Sequence, residues 1–266
     1  VVYLRTLFWD GRATSLESQA ILPLLNSREH GLGSEADVLI RVRQIPQYRP
    51  LFDRWLGLGH QISISDVTTA IATYERTLLS GDSAFDRYLY GADPNAMSSA
   101  AIRGLELFRN RGHCENCHTI GKDFALFSDQ GFHSSPLGIP AAVNATLVEL
   151  TQRVSALHRK DDNSELNALV IRDPAVAALG RFIVTLDPRD IGLFKTPSLR
   201  NVALTAPYFH DGSATTLNEA IDLELYSRGD VVRYPIVMSA TEKADLIEFL
   251  KALSSPLVAS SCVASP

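Results

Sequence analysis

An all-α fold is what this 266-residue sequence predicts, on three observations. Apolar residues recur at spacings of three and four, strand-like alternation is sparse, and a Cys-x-x-Cys-His segment is bracketed by two helical patterns. The first pattern starts after Ser65 as N-cap, carries Val67, Ile71, Tyr74 and Leu78 on one face, and stops at Ser80-Gly81-Asp82. The second begins at Ser98 or Ser99, presents Ile102, Leu105 and Phe108, and runs to Gly112. Near the C-terminus Ser239 or Thr241 caps a helix whose buried stripe is Leu246, Phe249, Leu250 and Leu253. The turn formers of Tyr90-Gly91-Ala92-Asp93-Pro94-Asn95 mark a boundary, dividing the chain into 1–95 and 96–266. From Lys122 to Pro197 long periodic segments are few, with one short helix expected between Asp162 and Leu179, broken at Pro174. Such an insertion is usually functional or wraps a partner or cofactor.

Composition excludes several classes. A formal net charge of −5 and a pI near 5.8 give no basic face for nucleic acid. No apolar run reaches the roughly 18 residues of a membrane span, and Val1 to Arg12 lack the zones of a signal peptide. The chain therefore reads as soluble and already processed. A hydrophobic fraction of 45% suffices for buried cores.

Three cysteines cannot build a disulfide framework, and two of them stand in Cys114-Glu115-Asn116-Cys117-His118. Thiols three positions apart reach the two vinyl-derived carbons of heme, and the following histidine aims a ring nitrogen at the iron. Cys114 and Cys117 are thus expected to attach heme c, with His118 as proximal ligand. Zinc is the main alternative, and it normally needs two further Cys or His ligands at similar spacing, whereas the third cysteine is distant Cys262. Cys262 is open to three states: free, oxidised, or paired with another segment. Attachment of heme c outside the cytoplasm implies a periplasmic location. His113 reads as a surface or propionate-side residue.

The sixth iron position decides between electron transfer and small-molecule chemistry. Met97 and Met238 are the two thioethers available, and both read better as packing residues.

Several blocks in fixed order resemble the bacterial diheme cytochrome c peroxidase family, which includes MauG-type enzymes. They are Leu7-Phe8-Trp9-Asp10-Gly11-Arg12-Ala13, Ser15-Leu16-Glu17-Ser18-Gln19-Ala20, Ala84-Phe85-Asp86-Arg87-Tyr88-Leu89, the heme motif, and the run from Phe194-Lys195-Thr196-Pro197 through Tyr208-Phe209-His210-Asp211-Gly212. The resemblance implies two all-α, cytochrome-c-like heme domains with long loops and a calcium ion between them. Residues 1–95 would be the remainder of an N-terminal peroxidatic domain, only partly present, and 96–266 the C-terminal cytochrome c domain. Since the chain holds one Cys-x-x-Cys-His, one heme is expected in this segment and two in the intact protein, with a degenerate one-heme relative as the alternative.

Residue by residue, the resemblance places Trp9 between the hemes as an electron or hole relay, with a large core residue as the plainer reading. Gln19 and Glu29 fall in the distal pocket, Glu29 as the group that takes and returns the peroxide proton. On composition alone, Glu29 would be a solvated loop glutamate. Thr205 and Pro207 would give carbonyls to calcium. Where peroxidases of the family carry a methionine, ungapped counting gives Glu224, and Tyr226 matches the tyrosine version once two residues are inserted. His210 is a further candidate ligand, although in the family pattern it falls behind the iron ligands. Trp55 matches no functional position.

The expected activity is peroxide-dependent oxidation of a partner protein, tryptophan modification of the MauG type, relayed through Trp9. The alternative is reduction of hydrogen peroxide to water with electrons from a small redox protein. A noncatalytic single-heme carrier is the reading from a different class. Expected partners are hydrogen peroxide and a protein substrate or donor, with a homodimer as the assembly considered.

Overall fold

The computed structural model describes residues 3–135, 137, 139, 141–160, 163–232 and 234–256; Cys262 lies outside them. Among the described residues the helices are α1 (Leu16–Leu25), α2 (Glu35–Gln44), α3 (Tyr48–Leu56), α4 (Ile64–Thr77), α5 (Ala84–Leu89), α6 (Ser99–Arg109), α7 (Ala141–Ala145), α8 (Leu147–Arg159), α9 (Asn163–Arg172), α10 (Pro174–Ala177), α11 (Phe182–Thr185), α12 (Leu217–Val232) and α13 (Ala240–Ala252). Two three-residue strands, β1 (Phe132–Ser134) and β2 (Leu193–Lys195), pair with each other. The fold is therefore largely helical, as expected. No helix among the described residues is long and apolar enough to cross a membrane.

The chain forms two compact units, drawn differently from the expected division at 1–95 and 96–266. The first comprises Val1–Leu78 and Ile139–Leu193, the second Leu79–Gly138 and Phe194–Pro266. Most of the expected insertion thus belongs to a unit begun far upstream, while α5 belongs to the heme-motif unit.

In the first unit α1 packs on α4, with Leu7, Ala13, Leu16 and Ala72 buried together. Helix α4 starts earlier than expected because Ser63, not Ser65, caps it, closing a reciprocal box with Asp66. Val67, Thr68 and Ala72 are its buried residues, whereas Tyr74 and Leu78 stand exposed. Residues 139–193 carry a separate core of Leu150, Val154, Leu166, Leu169, Val176, Leu179 and Ile183. The apolar residues of α8 that contribute to it, Leu147, Leu150, Val154 and Leu157, recur at helical spacing, in a region where the sequence predicts few long periodic segments. The break at Pro174 is real: Asp173 caps α10 and Pro174 occupies its first turn.

The second unit is organised by the crossing of α6 and α13. Gly104 makes the approach close; a Cβ there would lie 2.1 Å from the Asp245 carbonyl oxygen and 2.8 Å from Phe249 Cβ. Ser98 and Ser239 cap the two helices, the latter in a box with Glu242. Leu105, Phe108, Leu246, Phe249, Leu250 and Leu253 are buried as the periodicity requires, and Ile102 packs at the margin. Phe85 of α5 and Phe127 complete an aromatic cluster, with ring centroids 5.0 Å apart for Phe85–Phe127 and for Phe108–Phe249.

Candidate heme site

Helix α6 ends at Arg109, and the chain reverses through Gly112, whose N–H donates to the Leu107 carbonyl at 2.7 Å. His113 then adopts a left-handed conformation (φ 53°) and opens a 3-10 turn over Cys114–Asn116. In that geometry positions i and i+3 eclipse, so Cys114 and Cys117 share one side of the turn. Both thiols are unbridged and half-buried. The His118 N–H closes on the Cys114 carbonyl at 2.9 Å, fixing the imidazole one step beyond the thiols.

The His118 ring is oriented from behind. Its Nδ1 lies 2.9 Å from the Phe127 carbonyl oxygen. A carbonyl only accepts, so Nδ1 carries the proton and Nε2 keeps its lone pair for a metal. That is the tautomer a proximal heme ligand needs. Two eclipsed thiols and one imidazole whose lone pair sits on Nε2 fit heme c, whose chemistry is covalent attachment plus one protein nitrogen on iron.

Phe127 is itself unusual. It has φ 52° and is fully buried, and it holds this costly backbone because its surroundings leave no alternative. Its N–H donates to the Thr119 carbonyl at 3.2 Å, and the Asp129 N–H donates to the Cys117 carbonyl at 2.7 Å. The Ser198 hydroxyl donates to the Leu126 carbonyl at 2.7 Å, and Arg200 donates from Nε and Nη2 to the Ala125 carbonyl at 3.0 and 2.9 Å. Arg200 also grips Asp86 at 2.5 and 2.7 Å. Burial pushes the Asp86 carboxyl up, but hydrogen bonds from Arg200 and Ser83 outweigh it and hold the group below its ordinary value. Ser198 and Arg200 lie within the run from Phe194 to Gly212, where no spacing assigns either of them a task.

The zinc alternative gains donors that the sequence did not disclose. Cys117, Asp129 and His133 offer ligand atoms all within 4.8 Å of one another. Hydrogen bonding to Cys117 and then to Asp129 pushes His133 up to about 9, against the opposing cost of burial. This trio uses one sulfur of the motif and neither Cys114 nor His118. Thioether formation at Cys117 removes its thiolate, so the two uses exclude each other.

The other expected residues are placed as follows. Trp9 lies in a tight loop closed by the Leu7 N–H on the Ala13 carbonyl at 2.8 Å, with Phe8 and Gly11 at positive φ, and it is 38% exposed. Arg181 braces that loop by donating to the Asp10 carbonyl at 3.0 Å. Gln19 is half-buried on α1. Glu29 is exposed in the turn after α1, where it accepts from Asn26 Nδ2 at 2.6 Å. Among the described residues no hydrogen bond joins Trp9, Gln19 and Glu29 to one another. Trp55 is half-exposed and leans on Phe52.

Thr205 and Pro207 lie in an exposed turn before Tyr208, whose N–H donates to the Ala214 carbonyl at 2.7 Å. His210 stacks on Phe194 with centroids 3.8 Å apart, and burial holds its imidazole below the usual value. Met97 and Met238 are buried in the core of the second unit, in line with a packing role. Tyr226, on α12, is 84% exposed. His113 lies 2.6 Å from the Tyr234 hydroxyl through Nε2.

The family model of the di-haem cytochrome c peroxidases matches residues 1–94. A cytochrome-c peroxidase of Denitromonas iodatirespirans is 34% identical, covering 96% of this chain and 67% of its own length. A methylamine utilization protein MauG of Methylorubrum extorquens is 32% identical, covering 93% and 60%. The crystal structure of a MauG-like protein associated with microbial copper homeostasis superposes with a TM-score of 0.69 at 28% identity, covering 95% of this chain and 73% of that one. The chain spans about two thirds of the length of the curated relatives it matches. A whole-chain likeness at this level, together with a Cys-x-x-Cys-His turn carrying a correctly oriented imidazole, shows that the chain belongs to the diheme cytochrome c peroxidase and MauG family.

Proposed function

We propose that this chain is the greater part of a periplasmic, peroxide-dependent c-type oxidoreductase that works as a cytochrome c peroxidase, reducing hydrogen peroxide to water with electrons from a small redox protein. The observation that carries the reading is the eclipsed Cys114/Cys117 pair beside a His118 whose Nδ1–H is committed to a backbone carbonyl. Heme c, when bound, supplies an iron that accepts and passes single electrons. The residues of the chain do the rest. Cys114 and Cys117 tether the group, and His118 Nε2 ligates the iron.

Breaking the O–O bond of peroxide takes two electrons and two protons and yields two waters. Glu29 would hold and return the proton, as an exposed carboxylate already oriented by Asn26. Gln19 would orient the peroxide, and Trp9 would relay electrons from a half-open position in its braced loop. Thr205 and Pro207 carbonyls would hold calcium, and a second heme is expected in the whole protein. Mixing peroxide with the reduced protein and following reoxidation of a small cytochrome c tests the reading. Turnover supports it, and a reduced cytochrome that stays reduced overturns it.

One observation favours the MauG-type use, oxidation of tryptophan on a partner protein. Both methionines are committed to the core, and the family's methionine position holds Glu224, two residues before Tyr226. Ligation by Tyr226 would lower the potential and favour oxidised iron. A Tyr226→Phe variant with unchanged spectra removes this second reading.

A further inference from the structure

We infer that Arg200 and Ser198 are positioning residues for the iron-binding imidazole, acting through the backbone of residues 125–128; the inference rests on the heme reading above. The chain of contacts is continuous. Asp86 locks the Arg200 guanidinium, with both side chains largely buried. Arg200 donates from Nε and Nη2 to the Ala125 carbonyl, Ser198 fixes the Leu126 carbonyl, and the next carbonyl, that of Phe127, accepts from His118 Nδ1. The Arg200 N–H also donates to Ser198 Oγ at 3.2 Å, so the two clamps are coupled. Ser128 continues the series, its hydroxyl donating to the Thr196 carbonyl at 2.7 Å.

Three successive carbonyls are therefore aimed, two outward into side-chain clamps and the third at the imidazole. Phe127 needs this restraint because its φ of 52° is a conformation an ordinary residue leaves when permitted. The Arg200 guanidinium also lies 5.4 Å from the Phe127 ring, restraining side chain and backbone together.

The consequence is electronic. A strong Nδ1–H bond makes the imidazole a better donor and stabilises ferric iron. Loosening the clamp weakens that bond, so the reduction potential of the Cys114/Cys117 heme rises. A merely structural role would leave it fixed.

The test uses the whole heme-loaded chain and three variants. Arg200→Lys keeps the charge and loses the fork. Ser198→Ala removes one hydroxyl and leaves the Asp86 pair intact. Arg103→Lys is the control, because Arg103 makes an equally bidentate pair with Asp245 (2.7 and 2.7 Å) and, among the described residues, no hydrogen bond to residues 125–128. Spectroelectrochemistry should show Arg200→Lys and Ser198→Ala displaced upward by about threefold in the one-electron equilibrium, about 28 mV at 59 mV per decade. Arg103→Lys should match wild type. Potentials of Arg200→Lys and Ser198→Ala equal to wild type overturn the inference, as does an equal shift in the control. If Arg200→Lys fails to load heme, Ser198→Ala decides alone. A wild-type chain without covalent heme sinks the functional reading itself, and is recognised before any variant is compared.

Discussion

In the second unit the candidate imidazole is held from behind by a backbone carbonyl, itself fixed by two side-chain clamps and an aromatic cluster. In the first unit the candidate acid, Glu29, stands in an exposed turn where it accepts from Asn26, and Trp9 sits in a loop braced by Arg181. The two sets of residues thus differ in how much of their geometry the fold has already fixed. A metal ligand must hold one orientation against thermal motion, so its supports are dense. Glu29 has no such support and stands exposed, with Asn26 Nδ2 donating to it.

The largest expected effect strikes the dense side of this contrast. Gly104→Ala drives a methyl group into the Asp245 backbone, and overpacking of that kind costs up to about 3 kcal/mol. Chemical denaturation should show it, and an unchanged midpoint would mean that the α6/α13 crossing is looser than described. Next, Glu29→Gln should slow the reaction with peroxide by about 100-fold while leaving heme content unchanged. Its stability should stay within about 0.5 kcal/mol, since the side chain is exposed. An unaltered rate removes Glu29 from the mechanism and turns the contrast into one between a site and a surface.

Asp86→Asn should cost about 2 kcal/mol at neutral pH, less than a fully buried pair because some solvent reaches it. The sign with pH follows from a carboxyl held below its ordinary value. Its stabilisation is complete above the unfolded pKa near 4 and disappears as pH falls through the folded one. Wild type and variant should therefore converge in acid; a gap constant down to pH 2 contradicts the assignment. The smallest effect belongs to the first unit: Ser63→Ala removes the α4 cap and should cost about 1 kcal/mol. A thermal scan that does not move would show α4 to be held by packing alone.

Much of this was legible in the sequence, for reasons that are local. Ser98 and Ser239 announce their helices because capping depends on residues three apart, and the stripe from Leu246 to Leu253 needs no partner to be read. Ser63 and Ser65 both precede the same apolar run, and the box with Asp66 decides for Ser63. The Cys-x-x-Cys-His turn is equally local. What escaped is long-range. The support of His118 by Phe127, the grip of Arg200 on Asp86 and Ala125, and the meeting of Asp129 and His133 with Cys117 join residues whose proximity no spacing encodes. Residues 139–193 show the same limit in the fold. Their helices are periodic, but their membership of a unit begun at the N-terminus is a property of the folded chain.

The central claim is covalent heme at Cys114 and Cys117 with His118 beneath the iron. Mass spectrometry of the proteolytic peptide spanning residues 112–119, taken from protein matured with heme-attachment machinery, tests it most directly. The account predicts one heme on that peptide through both sulfurs. Two unmodified thiols, or a zinc ion held by Cys117 in place of the porphyrin, would contradict it.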